Sequence, residues 1–90
     1  MDKRFLDKVL DQIVKETRVD YDMGVITFPY FHQDSPVTIH LPPRYTIPPI
    51  HTKPSFDRHC KNIYGLNDGE IGYVWVKYRD IITNKLNNGL

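Results

Sequence analysis

The chain has 90 residues, 12 basic and 11 acidic side chains, and a formal charge of +1. One hydrophobic core is the norm at this length, so residues 1–90 are expected to form a single small domain, and the charge balance supplies no general attraction for nucleic acid or anionic lipid. A hydrophobic fraction of 40% with 12% aromatics is too apolar for a disordered segment.

Cys60 is the one cysteine, which excludes an internal disulfide and a thiolate metal cluster within one chain and fits a reducing compartment. No stretch reaches the length of a membrane span. Met1-Asp2-Lys3-Arg4 runs straight into an amphipathic pattern rather than the continuous apolar run of a signal peptide. The expectation is an intracellular, soluble, cytoplasmic protein.

Residues 3–17 read as a helix. Phe5, Leu6, Val9, Leu10, Ile13 and Val14 recur in pairs every four residues, and Asp2 is a suitable N-cap. This apolar face is broader than a surface helix needs. It is either wedged between two layers or shared with another chain.

From Thr17 the period changes to two. Val19 and Tyr21 alternate with charged residues, and Asp22-Met23-Gly24 supplies a turn. Ile26, Phe28 and Tyr30 form one face of a strand over 25–31. After a turn at 32–36, Val37, Ile39 and Leu41 form the next. Residues 18–41 thus read as an antiparallel meander with one buried face. Pro29 conflicts with a middle strand that donates on both sides. Either the first strand stops pairing before Pro29, or the strand order differs and this strand lies at an edge.

Residues 42–54 hold Pro42, Pro43, Pro48, Pro49 and Pro54 and read as a stiff extended crossover. Tyr45, Ile47 and Ile50 suggest that it lies along the body. Residues 56–87 then read as a helical hairpin. Ser55 is placed as the cap of a helix over 56–64, with Phe56, Cys60 and Ile63 inward. Tyr64-Gly65-Leu66-Asn67-Asp68-Gly69-Glu70-Ile71 combines a left-handed stop at Gly65, a capping box from Asn67 to Glu70, and a staple between Leu66 and Ile71. The last helix carries Ile71, Val74, Trp75, Tyr78, Ile81, Ile82 and Leu86 on one stripe. Tyr73 and Val76 fall on its far side. Gly72 within it points to the close approach of another backbone.

Candidate chemistry is sparse. His32, His40, His51, His59 and Cys60 lack the short paired spacings that hold zinc, so surface histidines and a core cysteine explain them better. His59 and Cys60 are neighbours on a helix and diverge, which argues against a cysteine nucleophile. No phosphate loop, nucleophile elbow or Walker pattern occurs. Lys77, Arg79 and Lys85 lie beside aromatics on the last helix, yet Asp80 interrupts them and the core stripe claims Trp75 and Tyr78. No catalytic, cofactor-binding or metal residues are assigned.

Val37-Thr38-Ile39-His40-Leu41-Pro42-Pro43-Arg44-Tyr45-Thr46-Ile47-Pro48-Pro49-Ile50 resembles the strand and loop of ubiquitin-conjugating and RWD domains. The order of helix, meander, proline-rich loop and helices is similar too. Thr46 stands where that pattern has the proline of a second Tyr-Pro, the chain after Pro49 is short for the family, and no cysteine follows at the active-site place. The resemblance implies a noncatalytic binding domain rather than membership.

These readings give an α+β fold: an N-terminal helix, a small antiparallel β-meander, a Pro-rich crossover and a C-terminal helical hairpin on one sheet face. The expected function is a small noncatalytic protein-binding or assembly protein, with another protein or a second copy as partner and no membrane. Expected contact residues are Tyr45, Ile47, Tyr73 and Val76, joined by Phe5 and Leu10 for a homodimer. The alternatives are a nucleic-acid-binding accessory protein using the helical hairpin, and a metal-dependent or other enzyme built from dispersed histidines and carboxylates.

Overall fold

Asp2 takes extended backbone, and its carboxylate accepts from the amides of Arg4 and Phe5, which starts helix α1 (Lys3–Glu16). In this computed structural model, which describes residues 2–41 and 46–89, Leu6, Val9, Leu10 and Ile13 of α1 are buried. The helix packs on α3 (Asp68–Gly89) and touches the sheet. Its broad apolar face is therefore wedged between two layers of its own molecule, and Phe5 stays 44% exposed.

The sheet has three antiparallel strands in the order β1 (Arg18–Asp20), β2 (Val25–His32) and β3 (Ser35–His40). Pairing of β1 covers only Val25, Ile26 and Thr27 of β2. Between β2 and β3 the register shifts after Thr27↔Thr38 and resumes at Phe31↔Pro36, so Phe28, Pro29 and Tyr30 together face Val37. Pro29 lies past the β1 ladder and inside this bulge, and its missing N–H costs no ladder bond on either side. The first of the two alternatives for Pro29 is the observed one. Because the shift is an even number of residues, Ile26, Phe28 and Tyr30 all keep their side chains inward.

The last part of the proline-rich segment is not extended as read: a 3₁₀ turn (Ile50–Thr52) leads into α2 (Lys53–His59), with Pro54 in its first turn, so α2 begins three residues before the expected start at Phe56. Ser55 lies inside α2 and is buried, which corrects its assignment as the N-cap. The chain then widens into a π-helical turn (Cys60–Tyr64) and stops at Gly65, whose φ is 65°. The Leu66 amide donates to Cys60 O and the Gly65 amide to Lys61 O. Each bond reaches one residue further than in an ordinary left-handed helix end, as a π turn requires. A π residue advances less around the axis than an α residue. Ile63 is thereby rotated off the inner face shared by Phe56 and Cys60 and is 63% exposed, contrary to the sequence reading.

The start of α3 forms as read. Glu70 N donates to Asn67 Oδ1 at 2.9 Å, and Asn67 N donates to Glu70 Oε1 at 3.0 Å. Leu66 and Ile71 are both buried as the staple demands. Asn67→Ala should cost about 1 kcal/mol. In a domain of this size that lowers the thermal midpoint by roughly 4–8 °C, measurable by circular dichroism. Gly72, in contrast, has no atom from outside its own helical turn within 4 Å of where a Cβ would sit among the described residues, so no close backbone approach there explains it.

The core lies between the inner sheet face and the helices. Phe56 of α2 sits at its centre, with ring centroids 5.5 Å from Tyr30, 4.9 Å from Trp75 and 5.6 Å from Tyr78. Across the edge of this core, residues 46–49 run along α3. Ile47 N donates to Thr83 Oγ1, Thr83 Oγ1 donates to Ile47 O, and Arg79 Nε donates to Pro48 O at 2.8 Å. The two Ile47–Thr83 contacts are each 3.1 Å, so this part of the crossover is packed structure.

Candidate functional site: a cleft between the second strand and the widened turn

Past the end of β1, the outer half of β2 faces α2 and the π turn. An open cleft of about 360 Å³ lies between them. Pro29 and Phe31 wall one side, Ser55, Arg58 and His59 the other, with Asn62 and Ile63 from the π turn and Gln33 at one end. Phe31 is 53% exposed, and with Ile63 it puts two large apolar side chains on the cleft in contact with water. Gln33 adopts a φ of 58° in the hairpin turn, a conformation that costs most L-residues free energy. Arg58 is the only formally charged lining residue among the described residues.

His59 is the half-buried polar group of the cleft. Its ring meets Tyr64 edge-on at 5.9 Å, and its Nε2 is enclosed with no hydrogen-bond partner among the described residues. Burial lowers its pKa, and the Glu16 carboxylate partly opposes that shift. A histidine whose folded pKa lies below its unfolded value of about 6.5 takes up its proton first in the unfolded chain. Stability is then flat above about pH 7 and falls as pH drops through 6.5 toward the folded pKa. The urea midpoint should be lower at pH 5.5 than at pH 7.5, and His59→Gln should reduce that difference. The Asp68 carboxyl is held low by its hydrogen bond with Lys61 and that residue's charge. Its contribution disappears only near and below pH 4, which keeps the two effects apart.

Ser55 Oγ lies 3.3 Å from His32 Nδ1. This pair does not make a nucleophile and base. Ser55 is buried within a helix, and no third group among the described residues orients the exposed imidazole. Cys60 is fully buried and burial pushes its thiol up to about 12, with the nearby Asp57 charge adding to the shift. It behaves as a core residue. Among the described residues, no group of three or more His, Cys, Asp or Glu side chains could hold a metal ion, and no helix is long and apolar enough to cross a membrane.

The residues expected to make contacts scatter. Leu10 and Ile47 are buried in the protein's own core, at 6% and 0% exposure, which removes both as surface contacts. Their apolar character served folding. Tyr45 falls outside the described residues. Tyr73 is half-buried against α1, where its hydroxyl donates to Asp7 at 3.3 Å and Lys77 lies over its ring. Val76 and Phe5 are exposed on the α3 and α1 surfaces, and neither lines the cleft. Phe31 and Ile63, which flank the cleft, are not among the residues the sequence reading expects at a contact. Strand parity does place Phe31 opposite the inward Ile26, Phe28 and Tyr30, so the sequence carried that signal. For Ile63 it carried none, because an α-helical phase puts it inside.

No protein-family model matches the chain, and no curated protein or solved structure matches it significantly. The likeness of residues 37–50 to ubiquitin-conjugating and RWD domains thus stays local.

Proposed function

We propose that the chain is a small noncatalytic binding protein that docks another protein through the cleft flanked by Phe31 and Ile63. The observation that carries this reading is the pair of large apolar side chains, each more than half exposed, on one open cleft. Covering the exposed half of such side chains contributes about 1–2 kcal/mol apiece, and apolar anchors around a pocket are where interface energy concentrates. Arg58 and the amides of Gln33 and Asn62 give the cleft a polar rim.

A photo-reactive phenylalanine placed at position 31, 63 or, as control, 21 tests the proposal in extracts of the source cell. One protein should cross-link at 31 and 63 and not at 21. With that partner purified, Phe31→Asp combined with Ile63→Asp should weaken binding at least tenfold, while Val76→Asp leaves it unchanged. Equal cross-linking at position 21, or unchanged affinity of the double variant, would remove the cleft as the docking site.

A further inference from the structure

The outer edge of β3 carries a second feature, on the side of the sheet away from β1. Leu41 N donates to Gly24 O at 2.8 Å beside the Val25↔His40 pair. In an antiparallel ladder this makes Val25↔His40 a pair without mutual hydrogen bonds and Ile26↔Ile39 a pair with them. The backbone groups of Ile39 therefore point to β2, and those of Thr38 and His40 point away from it. Among the described residues nothing bonds to Thr38 or His40 on that side.

That edge is also one wall of a trough. Two adjoining clefts of about 410 and 310 Å³ run along β3 and share Val37, Thr38, His51 and Thr52. Val37 and Ile39 point to the core, while Thr38 and His40 are exposed. A trough that touches both sets follows the strand edge rather than one face. Its other wall is formed by Pro49, His51 and Thr52. Among the described residues, none lining the two clefts is acidic, and three are histidines: His32, His40 and His51.

We infer that this trough accepts an extended, acidic peptide segment of another protein, which pairs with β3 as a fourth strand. Thr38 and His40 each offer an N–H and a C=O at the spacing an incoming strand uses. Acidic side chains of that strand would meet imidazole N–H donors and no carboxylate among the described lining residues. A second copy of β3 fits poorly. In an antiparallel self-pair centred on Thr38, Pro36 falls opposite His40 twice by symmetry, and each time proline lacks the donor that the His40 carbonyl needs. A foreign strand that engages only Thr38 and His40 avoids this loss.

The probe is the synthetic peptide acetyl-Glu-Val-Thr-Val-Glu-Val-amide, added to the ¹⁵N-labelled chain and followed by amide hydrogen exchange. Thr38 and His40 should gain at least tenfold protection, while Ile39, already bonded to Ile26, changes little. N-methylation of alternate peptide amides in the register that faces β3 should abolish the effect, and methylation in the other register should not. His40→Glu with His51→Glu should weaken binding at least tenfold in a variant whose spectrum shows the fold intact. Absence of protection, equal tolerance of both methylation registers, or equal binding of the lysine-substituted peptide would each overturn the inference. Perturbation confined to Phe31 and Ile63 would assign peptide binding to the other cleft instead.

Discussion

Phe56→Ala is expected to lower stability by about 3–5 kcal/mol, the cost of deleting a buried phenylalanine ring and leaving its cavity. A domain of this length has roughly 5–13 kcal/mol in all, so the variant should lose a large share of its stability. Its position explains the size. Phe56 is fully buried and touches Tyr30 of β2 and Trp75 and Tyr78 of α3, stacking on Tyr78 at an interplanar angle of 23°. The helix that carries it has 7 residues, too few to persist without tertiary packing. Loss of the ring therefore releases α2 and the cleft wall of Arg58 and His59 as well as opening a hole. Thermal denaturation should show a midpoint at least about 12 °C lower, with loss of the near-ultraviolet aromatic signal. Phe56→Leu, which keeps most of the volume, should lose much less. A drop below about 4 °C for the alanine variant would mean that the three aromatic neighbours do not depend on this ring.

The architecture was legible where one local signal sufficed. Paired apolar residues in α1, alternation in β2 and β3, and the Asn67–Glu70 box each encode their element in a few neighbouring residues, and those elements formed. The misreadings share one physical origin. A regular α turn puts Ile63 inward, and a single widened turn rotates it to the surface. Pro29 is no misreading, but the sequence leaves its two alternatives open, because the bulge that absorbs it depends on how β3 pairs, which no local pattern announces. Leu10 and Ile47 looked available because apolar periodicity cannot say which partner covers a face. The candidate cleft was least legible, since it exists only where a strand outruns its neighbour and a helix fills the gap. Of its two apolar flanks, only Phe31 could have been found from parity.

The second large effect concerns two buried hydroxyl relays. Thr17 Oγ1 donates to Ile13 O at 2.8 Å and also contacts the Tyr78 hydroxyl. A threonine has one hydroxyl proton, so Tyr78 must be the donor to Thr17. The same logic holds where Thr52 Oγ1 donates to Pro49 O at 2.6 Å and meets Tyr30 Oη at 3.1 Å. Burial pushes both phenols above their ordinary pKa, which keeps them protonated and able to donate. Each relay ties a chain turn to a core element: the end of α1 to α3, and the 3₁₀ turn to β2. The two members of a relay should not be equivalent. Thr17→Val strands a buried phenol and the Ile13 carbonyl and should cost about 1–3 kcal/mol, whereas Tyr78→Phe removes one donor and should cost about 0.5–1.5 kcal/mol. With both changes the stranded phenol disappears, so the double variant should be less destabilised than the sum of the singles by at least about 0.5 kcal/mol. Urea unfolding of the four proteins closes the cycle. Additive losses would show that Thr17 and Tyr78 act separately, and a Tyr78→Phe loss larger than that of Thr17→Val would reverse the direction of donation assigned here.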